Sequence, residues 1–533
     1  MKTLSDFLRV YNTSDVLILA DVFENFRNNA HSTYHLEPLY YYSLPGFSWD
    51  AALKYTGEKI ELIKDIDMYL IVKKAMRGGI CTISHRKAEA NFPGLPNYNP
   101  EEPECYLMYL DANGLYPWAM RQLLPIDGFK FIDNPNTFDI SMLGMKKGQI
   151  LEIDCEIPDK YHDLLNNFPP APEKMKITKD MHSPLQKKMG CKAGLVEKLV
   201  PNLSSKTKYV VHHRALQEYI HLGLEVTKVH RVIGFNEKAW LKPYIELNTR
   251  MRQRAAAAGD KAGVNTFKLY SNAVFGKSCE NLQKRVTIEL LTDSKFLKKR
   301  IAKPNYKRRR IFHENLVGVD LEKTKIVLFR PMQVGFAVLE ISKVLMYQFH
   351  YHKWMPKFPE AKLLFTDTDS LCYSVNQNPY EMMASFPDEF DFSEYAKDHQ
   401  LYDSRNMKVL GKMKDECHGL PLQSFRGLRP KLYCMEKLTT FNGTEVEIKG
   451  KGLTKTVREK QLTVENFETC LQQHSKQTVT QYTIRSDHHN LYSYKMEKIG
   501  LSAADDKRWI QDDGISTYAH GHFRTRNLSE NKQ

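Results

Sequence analysis

The chain carries two carboxylates at the tip of an apolar hairpin, and this feature restricts its fold more than any other. Residues 363–365 are an apolar run typical of a buried strand, and residues 371–375 alternate apolar and polar side chains like an antiparallel partner. Asp367 and Asp369 fall in or beside the connecting turn. Acids in so tight a turn repel each other unless a cation is bound, and their oxygens suit Mg²⁺ or Mn²⁺. The pattern predicts a metal-binding sheet edge, although an Asp-x-Asp turn alone also fits a solvated loop.

A second acidic strand end supports the metal-binding interpretation. Residues 105–110 form another apolar run, which ends on Asp111 before a turn. If the two strand ends are neighbours in one sheet, Asp111 and Asp369 bracket two cations roughly 3.5–4 Å apart, a spacing that suits phosphoryl transfer. The alternative is an Asp that only caps the following helix.

A basic, polar and aromatic helix is predicted between these two elements. Lys268, Asn272 and Phe275 recur at helical spacing. A lysine there would hold a triphosphate as a point charge, and a flat ring beside Gly276 offers a surface for a base pair. The alternative is an ordinary exposed amphipathic helix. A preceding helix adds Arg250, Arg252 and Arg254.

These three elements, in this order, resemble motifs A, B and C of family B DNA polymerases. The matching stretches are Asp111-x-x-x-Leu115-Tyr116-Pro117, Lys268-x-x-x-Asn272-Ala-x-Phe275-Gly276 and residues 366–370, followed by Lys431-x-Tyr433. More narrowly, the chain resembles the protein-primed branch, and within it the polymerases of Polinton/Maverick-type elements and related viruses. This likeness covers nearly the whole chain and includes residues 41–50, 106–113 and 240–248.

The resemblance implies a catalytic centre with two divalent cations, Mg²⁺ or Mn²⁺. Asp111 and Asp369 would be the metal-binding carboxylates, and Asp367 would be a nearby catalytic support. The resemblance also implies a nucleotide site. In it, Tyr116, beside Leu115, would exclude a 2′-hydroxyl, Lys268 would contact the triphosphate, and Asn272 and Phe275 would flank the nascent base pair.

The resemblance further implies contacts to DNA. Lys431 and Tyr433 would hold the primer end, and Arg77-Gly78-Gly79 would touch the template, with Met76 in place of the usual tyrosine. The predicted phosphate contacts in a basic block are Lys307, Arg308 and Arg309. This block also fits a solvated loop or a nuclear-import signal.

The implied fold class is α+β, a right-hand polymerase with an antiparallel palm sheet, helical fingers and a thumb. The predicted domains are a remnant of a 3′–5′ exonuclease domain (1–65), a first palm segment (66–128), insertion 1 for terminal-protein and template contact (129–240), fingers (241–283), insertion 2 for strand displacement and processivity (284–330), a second palm segment (331–436), and thumb with a C-terminal extension (437–533).

The N-terminal region departs from the family. Tyr11-x-x-x-Asp15 resembles the third exonuclease motif, but the two upstream motifs have no counterpart before it, so we expect no proofreading activity and a truncated chain. Residues 15–28 are predicted to form a helix whose apolar side, including Val16 and Leu19, packs in the core.

Composition agrees with a nucleic-acid partner. The 533 residues include 77 Lys+Arg against 63 Asp+Glu, a formal net charge of +14. Nine cysteines without a C-x-x-C pair indicate reduced thiols, and no apolar run is long enough to span a membrane. We therefore expect a soluble intracellular monomer, with import into the nucleus open. The resemblance implies primer-template DNA, deoxynucleoside triphosphates and a terminal priming protein as its partners.

Two other classes compete with an active polymerase. A metal-dependent nuclease also needs paired carboxylates, but it explains neither the basic helix nor Tyr116. A catalytically impaired DNA-binding relic of a mobile element is the other alternative. The substitutions at Gly114, Ala273 and Val264 favour the relic, whereas the surviving polymerase carboxylates argue against it.

Overall fold

A computed structural model describes residues 3–135, 138–145, 147–439, 443–487 and 490–530. None of the helices in these ranges combines the length and the apolar character that crossing a membrane requires. The α-helices are α1 Leu4–Tyr34, α2 Leu44–Thr56, α3 Ile66–Ala75, α4 Leu115–Met120, α5 His162–Leu165, α6 Pro184–Lys188, α7 His213–His221, α8 Lys242–Ala257, α9 Lys261–Ser278, α10 Ser294–Ile301, α11 Met332–Gln348, α12 Pro379–Met383, α13 Lys455–Lys460, α14 Val464–Gln472 and α15 Phe523–Glu530.

The strands, in chain order, are β1 Cys81–Ile83, β2 Lys87–Glu89, β3 Tyr106–Ala112, β4 Leu124–Phe131, β5 Gly148–Glu156, β6 Glu173–Met175, β7 Lys198–Val200, β8 Lys206–His212, β9 Glu225–Lys238, β10 Val286–Leu291, β11 Tyr306–His313, β12 Leu316–Glu322, β13 Lys362–Asp367, β14 Ser370–Val375, β15 Phe390–Asp391, β16 Met413–Asp415, β17 Leu422–Arg429, β18 Leu432–Leu438, β19 Thr444–Gly450, β20 Lys476–Asp487, β21 Asn490–Ser502, β22 Trp509–Ile510 and β23 Thr517–Tyr518.

A large sheet forms the centre of the molecule and positions the acidic strand ends. Its main path runs in the order β1-β13-β14-β3-β17-β18-β19, and β2, β15 and β16 attach beside this path. The predicted hairpin is confirmed as β13 and β14, and the expected neighbour relationship is confirmed because β14 pairs antiparallel with β3. Both strands are almost wholly buried, which agrees with the apolar run of β3. In β14 the serines that alternate with apolar residues lie largely inside the protein as well.

Helices cover the sheet and build the walls of a cleft. Helix α11 is buried along nearly its whole length and contacts α4, α7 and α9. Helices α8 and α9 form an antiparallel pair, and α9 is capped by Asp260, whose carboxylate accepts the Gly263 N–H at 2.9 Å. A cluster of buried aromatic and aliphatic side chains joins this pair to α2, α4 and α11.

Three of the five smaller sheets among the described residues fall mainly in the regions predicted as insertions and thumb. The strands β4-β9-β5-β8 form a four-stranded antiparallel sheet, and β10-β12-β11 form a three-stranded one. Strands β20 and β21 make a long two-stranded ribbon. The three-stranded sheet lies within the predicted insertion 2, and the ribbon lies within the predicted thumb region. The four-stranded sheet lies within the predicted insertion 1 except for residues 124–128 of β4, which fall in the predicted first palm segment. The domain boundaries themselves stay a prediction.

The predicted packing of the N-terminal helix is wrong for its first two thirds. The helix is longer than expected, and Val16 and Leu19 are 57% and 66% exposed instead of buried. The reason is that α1 packs on the rest of the protein mainly through its C-terminal third, where Phe26 contacts Phe47 and Tyr270. Apolar spacing identified the helix but not the stretch of it that is covered.

Candidate functional site

The backbone register places Asp111 and Asp369 side by side. Asp111 is the Cα partner of Ser370 in the pairing of β3 with β14. The N–H of Ala112 donates to the carbonyl of Asp369 at 2.7 Å, so the two acids sit on adjacent strand ends. The two acidic strand ends are therefore neighbours in one sheet, as the sequence predicted.

The turn between β13 and β14 needs an unusual backbone and a close glycine. Thr368 has φ of 69°, a left-handed conformation that costs a β-branched residue about 1–3 kcal/mol. Its N–H donates to the carbonyl of Ile80 at 2.7 Å. A Cβ on Gly79 would lie 2.4 Å from the Thr368 side chain, so only glycine permits this approach. Gly79, predicted to contact template DNA, thus supports the acidic turn.

Burial and mutual repulsion make both carboxylates easy to protonate. Burial, with the nearby charges of Asp369 and Glu416, raises the pKa of Asp111 to about 8. Burial, with the charge of Asp367, also raises the pKa of Asp369. Among the residues that the structure describes, no donor hydrogen-bonds the Asp111 carboxylate. Two buried carboxylates, one of them without a hydrogen-bond donor, offer the hard oxygen ligands that Mg²⁺ or Mn²⁺ prefers, so these residues fit the predicted divalent cations.

Asp367 has different neighbours. Its carboxylate forms an ion pair with Lys431 at 2.5 Å and accepts a hydrogen bond from the Cys81 thiol at 2.8 Å. Asp367 therefore holds Lys431 at the sheet edge, a placement compatible with its predicted supporting role.

A cavity opens directly above the two acids. Asp111 and Asp369 line it together with Lys268 and Asn272 of α9, and Leu115 borders it with a side chain that is otherwise buried in the core. The structure therefore brings both carboxylates and the predicted nucleotide-binding face of α9 into one cavity.

Two stacked rings flank this cavity. Tyr116 lines it, and its ring lies against that of Phe275 with centroids 4.5 Å apart and ring planes 16° apart. Burial raises the pKa of Tyr116 to about 12, so its hydroxyl stays protonated at neutral pH. The stack joins α4, the helix that follows the strand of Asp111, to α9, the helix that carries Lys268.

Three cations that line the cavity were not predicted as site residues. Arg252 of α8, Lys408 and Lys414 border the same space as Lys268. Arg252 was noted in sequence only as surrounding charge, whereas Lys408 and Lys414 belong to a segment outside the recognised motifs. The pairing of Lys414 with Asp111 across β16 and β3 is a long-range contact without a local sequence signal.

Two predicted DNA contacts need correction. Arg77 is only 7% exposed, with its guanidinium 3.8 Å from the Tyr209 ring centroid and donating to the Val210 carbonyl at 2.7 Å. The Tyr433 ring is 3% exposed and lies against Phe365 with centroids 4.5 Å apart. Neither side chain is free to meet DNA in this structure.

The second correction has a backbone cause. Lys431 and Tyr433 would share one face of a regular strand. Lys431 instead has φ of 63° and precedes β18, so the alternation breaks between them. Lys431 points to Asp367, while Tyr433 turns into the core.

The remaining predicted DNA contacts are accessible. Lys307, Arg308 and Arg309 lie on the exposed strand β11, where Lys307 pairs with Glu322 at 3.7 Å and Arg308 with Asp320 at 2.5 Å. A Cβ on Gly78 would meet no atom within 4 Å, so open space faces this backbone.

Comparison with known families and proteins adds an independent result. Residues 2–326, more than half of the chain, match the family described as DNA polymerase type B, organellar and viral. No curated protein matches the chain.

Solved structures of Phi29 DNA polymerase are similar in fold. The complex with primer-template DNA and incoming nucleotide has a TM-score of 0.55 and 14% identity, over 86% of this chain and 68% of that chain. The complex with single-stranded DNA has a TM-score of 0.56 and 14% identity, over 94% of this chain and 73% of that chain. The likeness confirms the predicted α+β, right-hand polymerase fold.

Proposed function

The chain belongs to the organellar and viral family of type B DNA polymerases, and from this we propose that it extends a primer 3′-hydroxyl with deoxynucleotides by two-metal nucleotidyl transfer. One observation carries the proposal. Asp111 and Asp369 share a cavity with Lys268, so acids for metals and a cation for phosphates face each other. A nuclease site does not require this opposing lysine or the Tyr116–Phe275 stack.

The chemistry follows from these positions. A primer hydroxyl attacks the α-phosphate of a deoxynucleoside triphosphate and forms a new P–O bond, while its proton passes to water. The bond between the α-phosphorus and the oxygen that bridges to the β-phosphate breaks, and pyrophosphate leaves with the electrons of that bond. When bound, the two divalent cations supply charge neutralisation at the attacking and leaving oxygens. Asp111 and Asp369 would hold those ions, and Lys268 would orient the triphosphate from the helix side. No catalytic His or Cys is needed.

Sugar selection is assigned to the stacked rings. Tyr116 would lie beneath the incoming sugar and exclude a 2′-hydroxyl, and Phe275 fixes its ring by stacking. Asn272, one helical turn before Phe275, lines the cavity where a base pair would lie.

The proposed partners follow from the family and from similar structures. Phi29 DNA polymerase has been solved with primer-template DNA and incoming nucleotide, and we assign the same ligand classes to this chain. The protein-primed resemblance adds a terminal protein as primer, with insertion 1 (129–240) contacting it and insertion 2 (284–330) encircling DNA. We retain the Polinton/Maverick-type branch, a monomeric state and the absence of proofreading as elements of this proposal.

Primer extension tests the proposal directly. The purified chain is incubated with a labelled primer-template, Mg²⁺ and four deoxynucleotides, beside Asp111→Ala and Asp369→Ala. Extension by the unmutated chain alone is the expected result, with at least a thousandfold loss in each variant, or about 4 kcal/mol of transition-state stabilisation. An unmutated chain that binds primer-template in a gel shift without extending it would instead support the relic alternative.

A further inference from the structure

A loop after the catalytic hairpin, residues 406–412, brings an additional lysine to the nucleotide cavity. The Gly411 N–H donates to the Asn113 carbonyl at 2.7 Å, and the Asn113 N–H donates to the Lys412 carbonyl at 2.9 Å. These two backbone hydrogen bonds, one in each direction, fix the loop to the turn that follows Asp111. Lys408 thereby lines the cavity.

The same loop is also tied to the opposite wall. The Gln253 side chain of α8 donates to the Met407 carbonyl at 3.1 Å. Lys408 is therefore held between the strand end that carries the metal-binding acids and the helix pair that carries Lys268. A side chain from this position reaches the space between the two walls.

The backbone of Lys408 is strained and anchored by a buried acid. Its φ of 57° lies in the left-handed region, which costs a lysine about 1 kcal/mol or more. The Lys408 N–H donates to Asp391 at 2.9 Å, and the Asn113 side chain donates to the same carboxylate at 2.7 Å. Asp391 is 1% exposed, so these bonds define the loop firmly.

The ammonium group of Lys408 has a carboxylate partner behind the cavity wall. Lys408 and Glu394 form an ion pair, and Lys414 lies 3.4 Å from the same acid. Both lysines line the cavity, whereas Glu394 is not among the described residues that line it. Burial alone would raise the pKa of Glu394, but the ion pairs with Lys408 and Lys414 outweigh it and lower the pKa.

Arg252 brings a second cation to the cavity, and one of its N–H groups has no hydrogen-bond acceptor among the described residues. This donor is the Nε–H, which is buried. Burial lowers the pKa of Arg252, which the charges of Glu394 and Asp391 partly offset. A buried donor without an acceptor is costly unless a ligand supplies one. The cavity thus presents Arg252 as a further cation beside those of Lys268 and Lys408.

We propose that Lys408 is a triphosphate-binding residue, which exchanges Glu394 for the terminal phosphates of the incoming nucleotide in the cavity that Arg252 and Lys268 also line. This inference rests on the proposed polymerase function. Glu394 neutralises Lys408 in the empty cavity, and a phosphate oxygen replaces the carboxylate oxygen as the anionic acceptor. The ion pair therefore opposes nucleotide binding, and a neutral residue at position 394 strengthens nucleotide binding.

Single-nucleotide insertion kinetics test this assignment. Lys408→Ala is expected to raise KM for the deoxynucleotide about tenfold, while the primer-template Kd stays within twofold and Lys408→Arg recovers most of the loss. Glu394→Gln is expected to lower KM, because Lys408 then has no ion pair to break when it binds the triphosphate. Lys397→Ala is the matched control. Lys397 is an exposed lysine in the same connection between β15 and β16, but it does not line the cavity.

A binding measurement separates this inference from the proposed function. Calorimetric titration with inorganic tripolyphosphate and Mg²⁺ needs no catalysis, and Lys408→Ala should weaken binding about tenfold while Glu394→Gln strengthens it. An unmutated chain that inserts no nucleotide would refute the polymerase proposal, but the effect of the two substitutions on tripolyphosphate affinity could still be measured. Unchanged KM and tripolyphosphate affinity in a folded Lys408→Ala protein, or weaker binding in Glu394→Gln, would overturn the assignment of Lys408.

Discussion

The ring of Tyr116 lies flat against the ring of Phe275, with centroids 4.5 Å apart. Tyr116 follows the strand that carries Asp111, and Phe275 belongs to the helix that carries Lys268. The stack therefore sets the distance between the two walls of the cavity. A ring held from behind cannot turn away from an incoming sugar without losing about 0.5–1.5 kcal/mol of aromatic contact.

Removal of the Tyr116 ring should relax sugar selection. In Tyr116→Ala, the space beneath the sugar opens, and we expect ribonucleotide insertion relative to deoxynucleotide insertion to rise at least tenfold, about 1.4 kcal/mol in differential transition-state binding. Single-turnover insertion of matched ribo- and deoxynucleotides measures this ratio. Phe275→Tyr keeps the stack and serves as the control. A ratio unchanged in Tyr116→Ala would refute the assignment.

Gly79 and Gly78 provide a matched pair for the acidic turn. A Cβ at position 79 would lie 2.4 Å from Thr368, whereas one at position 78 meets nothing within 4 Å. Gly79→Ala should therefore displace the turn, destabilise the fold by about 1–3 kcal/mol and lower kcat, while Gly78→Ala should be nearly neutral in stability. Denaturant unfolding and primer extension measure both effects. Equal losses in the two variants would show that the close approach to Thr368 does not matter.

Local sequence patterns predicted the elements that carry the acids. Strand alternation and apolar runs are short-range signals, and the hairpin, the strand ending at Asp111 and the helix of Lys268 all appear where the patterns indicate. The order of the motifs then implied that they meet, and β14 does pair with β3. The cavity was predictable to this extent.

What the sequence did not predict has two causes, contacts between residues far apart in sequence and one irregular backbone position. Arg77 is buried by Tyr209, a residue of the four-stranded sheet, and no local pattern identifies such a partner. Tyr433 was misassigned because the left-handed backbone at Lys431 interrupts strand alternation. Lys408 reaches the cavity through hydrogen bonds of its loop to Asn113 and Asp391, which tertiary structure alone creates.

The raised pKa of Asp111 predicts a stability that falls with pH when no metal is present. Its folded-state pKa is about 8, against an ordinary value of 3.8, so between these values the folded protein keeps a proton that the unfolded chain has released. The free energy of unfolding should therefore fall by about 2 kcal/mol from pH 6 to pH 8.5. Asp111→Asn should flatten this dependence and stabilise the metal-free protein at pH 8.5.

Added Mg²⁺ reverses the effect if Asp111 and Asp369 hold it. Metal binding requires deprotonated carboxylates, so the affinity for Mg²⁺ should increase as pH rises towards and past 8. Denaturant unfolding at both pH values, with chelator and with Mg²⁺, measures the change. An Asp111→Asn protein with the same pH slope and the same Mg²⁺ response as the unmutated chain would contradict the assigned metal site.

Arg77 should stabilise the protein without binding DNA through its side chain. Its guanidinium rests on the Tyr209 ring and donates to the Val210 carbonyl, while the nearby Lys343 ammonium donates to the Arg77 carbonyl at 3.0 Å. In Arg77→Ala the ring loses its cation and the Val210 carbonyl its donor, and we expect a loss of about 2–4 kcal/mol in unfolding free energy. The salt dependence of DNA binding should stay unchanged, because no phosphate contact is lost.

Arg309 is an exposed arginine and serves as the control for the buried Arg77. It lies on the exposed strand β11, so Arg309→Ala should leave stability within about 0.5 kcal/mol. If it contacts a phosphate, the slope of log Kd against log salt should decrease by about one. Gel-shift titrations at several salt concentrations, beside denaturant unfolding, separate the two variants. A decreased slope of log Kd against log salt in a stably folded Arg77→Ala protein would show that the Arg77 side chain contacts a DNA phosphate after all. A buried arginine that makes no phosphate contact releases no counterion from DNA.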